Sequence, residues 1–175
     1  VDKEEVGSIG ATGAQSAWFE NTVAELILRE GGYSDIKVRR AMENTKMLSS
    51  DVSAGYDPLY ASVNDPKNAA YLGRGICFNK YTGGRGKSSS SDANAEYVGK
   101  LRGILDKHNV HYQFSELGKV DLGGGGTIAF ECAKYGMNVL DAGVSVLSMH
   151  APWELASKFD CWQTYRAYSA YLRSK

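Results

Sequence analysis

Apolar side chains recur at three- and four-residue spacing in the first part of the chain and predict an amphipathic helix there. The residues on this face are Trp18, Phe19, Thr22, Val23, Leu26 and Ile27. The pattern ends at Gly31-Gly32, since glycine commonly terminates helices. A second, more basic helix is predicted at about residues 34–44.

Short apolar runs later in the chain predict strands that alternate with helices. The predicted strands are 47–52, 75–81, 111–115 and 139–147, and the predicted helices are 92–109, 127–135 and a last helix starting at Pro152. Residues 53–74 are predicted to be a long irregular connection, and 82–91 a Gly/Ser/basic loop without regular structure. This alternation indicates an α/β sandwich with helices on both faces of a largely parallel sheet.

Composition narrows the class of protein. The 175 residues include 20 Lys+Arg and 20 Asp+Glu, so the net charge of +0 offers no general attraction to nucleic acid or to an anionic membrane. With 43% hydrophobic residues the chain can bury a core, which excludes disordered and collagen-like classes. Cys77, Cys132 and Cys161 form neither a disulfide framework nor a CxxC pair, and a reducing compartment is expected. No apolar run reaches the roughly 20 residues of a membrane span.

Polar residues at predicted strand ends are the first candidates for chemistry, because ligands of open α/β sheets bind beyond those ends. Glu4 and Glu5 precede the first helix, Asp51 closes one predicted strand, and His150 closes another. Three carboxylates and an imidazole are the ligand chemistry of a hydrolytic Zn²⁺ site, where an unligated Glu acts as general base. Each residue also has a structural interpretation: the glutamates near a helix dipole, Asp51 as a turn residue and His150 as a structural histidine.

Two glycine-containing segments are weaker signals. Gly123–Gly126 leads into a predicted helix and could present backbone N–H groups to a ligand, although its spacing matches no nucleotide-binding motif. The segment 81–91 is interpreted first as a substrate-facing loop and second as a mobile linker. An RNA-binding role for it lacks both an aromatic platform and a net basic charge.

Five segments in this order, nearly spanning the chain, closely resemble the aspartyl aminopeptidase / aminopeptidase I family of dinuclear zinc exopeptidases. They are VDKEEVGS at 1–8, SDVSA at 50–54 with Asp57-Pro58, KYTGGRGK at 80–87, GKVD with GGGGT at 118–127, and LSMHAP at 147–152 with Ser157-Lys158. The KYTG…GK and GKVD…GGGGT segments are most similar to the bacterial aminopeptidase I type. The resemblance implies a three-layer αβα sandwich of the zinc-exopeptidase type, with a mixed, mostly parallel sheet that is incomplete in this chain.

The resemblance also implies roles for individual residues. Glu4 resembles the general base that takes a proton from the attacking water and passes it to the leaving amine. Glu5 and His150 resemble ligands of one zinc ion, and Asp51 resembles a ligand of the other. The positions implied to contact substrate are Lys80, Lys87, Gly124 and Gly125. Two Zn²⁺ ions are expected in a complete site, and Co²⁺ or Mn²⁺ suits the same donors.

Complete members of the family also have an N-terminal His ligand, a bridging Asp and an inserted dimerisation domain. Residues 1–175 are therefore expected to be the C-terminal portion of the catalytic domain of a cytoplasmic metallo-aminopeptidase that acts on peptides. The expected assembly is a homo-oligomer, with dimers forming a dodecamer, and no nucleic-acid or membrane partner. This chain alone is expected to bind zinc poorly and to hydrolyse little. The alternatives are a non-catalytic fragment or scaffold homologue and, with less support, an RNA-binding module.

Overall fold

Helices and strands alternate along the chain, and the structure, a computed structural model, describes them over residues 9–85, 88–119 and 121–174. The helices are α1 (Trp18–Gly31), α2 (Asp35–Glu43), α3 (Ala95–Lys107), α4 (Ile128–Ala133) and α5 (Lys158–Arg173), with a 3-10 helix at Pro58–Val63. The strands are β1 (Lys46–Ser49), β2 (Ser53–Ala54), β3 (Ile76–Asn79), β4 (Tyr81–Gly84), β5 (Ser88–Asp92), β6 (Tyr112–Phe114), β7 (Asn138–Gly143), β8 (Ser145–Leu147) and β9 (Leu155–Ala156).

The strands pair in both directions. One sheet has the order β1-β7-β3-β6, a second has the order β2-β8-β9, and β4 pairs with β5. Strand β3 is parallel to β6 and antiparallel to β7, while β8 is parallel to β2 and antiparallel to β9. The α/β fold with a mixed sheet is therefore confirmed. Within the described ranges, no helix is long and apolar enough to cross a bilayer.

The first of two compact units comprises Val1–Met47 and Ile128–Val139. Its described part carries α1, α2 and α4. The buried residues of its core are Met42, Ala129, Met137 and Val139, with Phe19, Val23, Met47, Cys132, Ala133 and Tyr135 packed against them. Helix α2 starts after Ser34, whose hydroxyl accepts a hydrogen bond from the amide of Lys37 and so satisfies one of the unpaired N–H groups of the first turn. The three predicted helices of this region are confirmed.

The second unit comprises Leu48–Thr127 and Leu140–Lys175, and its core lies between the main sheet and helices α3 and α5. The buried residues are Ile76, Phe78, Ala93, Tyr97, Leu101, Leu105, Val110, Leu140, Ala142 and Ala167. Three of them recur every four residues on α3, so one helical face is buried. Full burial of one such large apolar side chain contributes about 1.5–3 kcal/mol. Asn94 caps α3 by accepting from the amide of Tyr97 at 2.7 Å.

A fully buried carboxylate joins helix α5 to the turn that enters β3. Asp160 is 0% exposed, and its two oxygens accept hydrogen bonds from the amides of Gly73 and Gly75, each at 2.7 Å. It lies in the first turn of α5, where the positive end of the helix dipole favours a negative charge. Both backbone donors and the carboxylate are satisfied by this arrangement, because two charge-assisted hydrogen bonds replace the lost hydration.

Several predictions of local structure are wrong. Most described residues of 82–91 belong to β4 and β5, which pair as the antiparallel strands of a hairpin rather than forming an irregular loop, with Thr82 paired to Ser91. Backbone pairing needs no apolar side chains, so Gly/Ser composition does not prevent it. The last helix begins at Lys158 rather than at Pro152, because Ser157 accepts from the amide of Asp160 as the N-cap. The predicted irregular stretch 53–74 contains β2 and the 3-10 helix.

Substitution by alanine is predicted to have opposite effects on stability at two glycines of the second unit. Gly75 has φ +93°, and a Cβ there would lie 2.0 Å from the carbonyl oxygen of His111. Gly99 lies inside α3 with nothing within 4 Å of the equivalent position. We expect Gly75→Ala to lower the free energy of unfolding by about 3 kcal/mol or more. Gly99→Ala should raise it by about 0.5–1 kcal/mol. Urea unfolding followed by circular dichroism measures both, and equal effects of the two substitutions would contradict the structure.

Candidate metal and substrate site

Asp51 lies in the short connection between β1 and β2 and is half-buried. Its Oδ1 accepts a hydrogen bond from the amide of Val52 at 2.8 Å. Its carbonyl oxygen lies against Gly143, where a Cβ would approach it to 1.7 Å. Only glycine at position 143 therefore permits this close backbone contact. Asp51 does not close β1, which ends at Ser49, but lies two residues beyond it.

Asp141 is a second carboxyl group at this place, and it lies within β7. Its side chain is 2% exposed, and Oδ2 accepts a hydrogen bond from the Thr127 hydroxyl at 2.6 Å. Within the described part of the chain, Oδ1 has no hydrogen-bond partner. Burial raises the pKa of Asp141 to about 6; the negative charge of Asp51 adds to this rise, and nearby hydroxyl groups oppose it. The Asp51 charge is the smallest of these contributions to the pKa, and it indicates that the two carboxyl groups lie within electrostatic reach of each other.

His150 lies in the connection between β8 and β9, three residues past the end of β8, rather than closing a strand as predicted. It is exposed, and its backbone has φ +67°. The backbone amide of His150 donates to the Glu154 carboxylate at 2.6 Å, which holds this uncommon conformation in place. The backbone of Ser148 is also left-handed, with φ +58°.

Lys80 follows the last residue of β3 in the main sheet. Asn79 on β3 is paired with Asp141 on β7, and Lys80 is the next residue. The Lys80 ammonium forms an ion pair with Asp92 at the end of β5. The described residues contain no group of three or more His, Cys, Asp or Glu side chains placed to hold one metal ion. Glu4, Glu5 and Lys87 lie outside the described residues.

The four-glycine segment packs along the β4–β5 hairpin through its backbone. The amide of Gly83 donates to the carbonyl of Gly125 at 2.9 Å, and the amide of Arg85 donates to that of Gly123 at 2.7 Å. Gly124 has φ +91°, and a Cβ there would lie 2.4 Å from the Gly83 carbonyl oxygen. A side chain at position 124 would therefore push this segment away from the hairpin.

A small cleft opens between the glycine segment and the hairpin. Its lining residues are Tyr81, Thr82, Gly83, Glu116, Leu117, Gly118, Lys119, Gly123 and Gly124. Thr82 is 2% exposed, and its hydroxyl has no hydrogen-bond partner within the described ranges. Gly123 and Gly124 of the glycine segment thus border this cleft together with residues 81–83 of β4.

Sequence reasoning missed three polar residues of this region: Asp92, Thr127 and Asp141. Asp141 carried a detectable signal, because it interrupts the apolar run VLDAGVSVL, and a charge buried in a strand needs a partner or a function. Asp92 and Thr127 carried none, since each was predicted to begin a helix and acquires its role from a partner distant in sequence.

Comparison with known proteins identifies the class as that of the zinc metalloproteases. The family model for the aminopeptidase I zinc metalloproteases (M18) matches residues 1–172. The chain therefore belongs to the M18 peptidase family. It is 60% identical over 174 residues to a probable M18 family aminopeptidase 1 of Clostridium acetobutylicum, covering 99% of this chain and 37% of that protein.

Solved structures agree with this assignment. Aminopeptidase I from Clostridium acetobutylicum superposes with a TM-score of 0.87 at 58% identity, covering 98% of this chain and 37% of that one. An M18-family aminopeptidase from Thermotoga maritima gives a TM-score of 0.89 at 43% identity, with 96% and 38% covered. The dodecameric mApe1 of S. cerevisiae shares the fold, with a TM-score of 0.74 at 18% identity and coverage of 98% and 36%. The chain thus spans a little over a third of the length of these relatives.

The burial of Asp141 predicts a pH dependence of stability. Its folded-state pKa of about 6 lies above the ordinary aspartate value of 3.8, so the folded state holds the proton more tightly. The stabilising contribution is therefore complete below about pH 4 and is lost as the pH rises through about 6. In metal-free protein, Asp141→Asn should gain about 1–3 kcal/mol in unfolding free energy relative to wild type between about pH 4 and pH 7.

Asp121→Asn is the matched control for this experiment. Asp121 is exposed and has φ +67°, a conformation that asparagine tolerates equally well. Urea unfolding at several pH values should show no comparable gain for this variant. A constant difference between Asp141→Asn and wild type over the same pH range would contradict the raised pKa.

Proposed function

We propose that this chain forms part of the catalytic domain of a zinc-dependent aminopeptidase that releases N-terminal residues from peptides in the cytoplasm. The observation that carries the proposal is the placement of Asp51 beside the buried Asp141, next to the glycine segment. Membership of the M18 family supports the same activity.

The donor chemistry of these residues fits a divalent metal. Asp51 supplies carboxylate oxygens and the exposed His150 an imidazole nitrogen, both of which Zn²⁺ accepts. We assign Asp51 to one ion and Glu5 with His150 to a second, with further ligands in the part of the relatives that this chain does not span. Co²⁺ or Mn²⁺ would suit the same donors. When bound, the metal supplies electrophilic activation of the peptide carbonyl and of the attacking water.

The chain's own residues supply proton transfer and substrate orientation. Glu4 takes the proton from the attacking water and delivers it to the amine that leaves. Gly124, which borders the cleft, and the adjacent Gly125 align the peptide backbone, while Lys80 and Lys87 contact the substrate. Because the hairpin and the glycine segment are joined by two backbone hydrogen bonds, the groups that they carry keep a constant separation.

We also propose that the full protein is a homo-oligomer, with dimers that assemble into a dodecamer. Several large apolar side chains support an association surface, because they are strongly exposed: Leu59 at 87%, Trp153 at 89% and Leu172 at 80%. The dodecamer of the yeast relative suggests the stoichiometry. Analytical ultracentrifugation of the full-length protein measures it directly.

The role of Glu4 is tested by activity. In the full-length protein that carries this chain, Glu4→Gln is expected to lower kcat by about 10³-fold or more, because one group performs both proton transfers. Glu30→Gln, an exposed carboxylate of α1, is the matched control and should leave kcat unchanged. Release of N-terminal residues from short peptides is the measurement, and full activity of Glu4→Gln would exclude this base.

Metal binding is tested by measuring the metal content of protein variants. Asp51→Ala and His150→Ala should each lose about one of two bound ions per protomer, since each removes a ligand of a different metal. His108→Ala, at the exposed end of α3, is the matched histidine control. Plasma mass spectrometry after dialysis gives the metal content, and EDTA should abolish activity in parallel. Retention of both ions by Asp51→Ala would contradict its assignment, and a protein that never binds metal would favour the scaffold alternative.

A further inference from the structure

We propose that the Tyr168 hydroxyl positions Asp51 for metal binding, acting through Ser50 and through the backbone of β7. Tyr168 is a positioning residue, because its hydroxyl bonds to the residue before Asp51 and not to the metal or the substrate. The inference rests on the proposed aminopeptidase function, in which Asp51 is a ligand of one Zn²⁺ ion. It adds a determinant of metal affinity on α5, a helix without an assigned role in the site.

The ring of Tyr168 is held by the packing of its helix. Tyr168 is half-buried and packs against the core of the second unit. Ala167 and Ala170, close to it on α5, are buried. The first turn of α5 is joined to the turn entering β3 by the two hydrogen bonds of Asp160. The helix therefore presents the phenol to the main sheet from a fixed position.

The hydroxyl of Tyr168 joins two segments of the chain. Its oxygen lies 2.7 Å from the Oγ of Ser50, and it donates a hydrogen bond to the backbone carbonyl of Ala142. Ser50 directly precedes Asp51, and Ala142 directly follows Asp141 on β7. A phenol can donate one hydrogen bond and accept another, so it can serve both partners at once. The hydroxyl therefore ties the connection that carries Asp51 to strand β7.

The electrostatic surroundings of the phenol agree with this position. Burial raises the pKa of Tyr168, the hydrogen bond with Ser50 opposes that rise, and the negative charges of Asp51 and Asp141 add to it. Both carboxyl groups therefore lie within electrostatic reach of the phenol. Because the pKa is raised, the phenol stays protonated at neutral pH and keeps the proton that it donates.

The bond matters because it acts on one side of Asp51. On the other side, the amide of Ser53 donates to the carbonyl of Val144 at 2.9 Å and holds the start of β2. A carboxylate on a connection held at both ends loses less conformational freedom when it binds a cation, and partners behind metal ligands affect metal affinity accordingly. Ser50 is exposed, so water competes for the bond with Tyr168. We therefore expect its removal to weaken metal binding by about three- to tenfold.

Competition with a chromophoric chelator measures the affinity of each Zn²⁺ ion in the full-length protein. Tyr168→Phe should weaken the ion assigned to Asp51 by about three- to tenfold and leave the other ion within about twofold of wild type. Ser50→Ala should weaken the same ion. The double variant should resemble Tyr168→Phe alone, because the two substitutions remove a shared hydrogen bond and their effects are not additive.

Tyr171→Phe is the matched control on the same helix. The Tyr171 hydroxyl accepts a hydrogen bond from that of Tyr97 at 3.1 Å, so its removal also costs a partly buried hydrogen bond. Urea unfolding of metal-free protein should show similar destabilisation by Tyr171→Phe and Tyr168→Phe, while Tyr171→Phe keeps wild-type affinity for both ions.

Three results would overturn the role of Tyr168 while leaving the aminopeptidase function intact. They are an unchanged zinc affinity in Tyr168→Phe, an equal loss of affinity in Tyr171→Phe, and additive losses in the double variant with Ser50→Ala. If the wild-type full-length protein bound no Zn²⁺ and released no N-terminal residue from short peptides, the proposed function itself would fail.

Discussion

The contact between the backbone of Asp51 and Gly143 is the constraint on which the candidate site depends. The Asp51 carbonyl occupies space that any Cβ at position 143 would need. This contact keeps Asp51 close to β7, and Asp141 lies two residues earlier on that strand. Asp141 is paired with Asn79, the residue before Lys80. The hydroxyl of Thr127, which follows the glycine segment, donates a hydrogen bond to the same Asp141 carboxylate. Residues from four separate segments of sequence, Asp51, Asn79, Thr127 and Asp141, thus lie on or beside β7.

Local patterns predicted the elements whose structure depends on local forces. The spacing of Phe19 and Val23 predicted α1, because an amphipathic face is encoded within a few turns. The hairpin at 81–92 escaped prediction, since its glycines and serines have no strand propensity and the backbone pairing with a distant glycine segment supplies the stabilisation. The start of α5 was also misplaced, because Pro152 and Ser157 are both plausible helix signals and the pairing of β9 with β8 decides between them.

The candidate site was predictable as a set of residue types but not as an arrangement. Asp51 and His150 were identified from their positions near strand ends and from family resemblance, although neither closes a strand. The ion pair of Lys80 with Asp92 could not be predicted, because it depends on hairpin register, and a shift of one residue would turn Asp92 to the other face. The chain's zero net charge gives no indication of this ion pair.

The hydrogen bonds of Asp160 have a consequence for the order in which the protein is built. Asp160 lies 85 residues after Gly75, whose amide donates a hydrogen bond to the Asp160 carboxylate. At ribosomal rates of roughly 5–20 residues per second, the turn entering β3 therefore waits several seconds for its partner to be synthesised. During that interval the amides of Gly73 and Gly75 are left to hydrogen-bond with water. The pairing of β3 with β6 and β7 needs only residues made earlier, so the Asp160 carboxylate is the last partner that this turn acquires during synthesis.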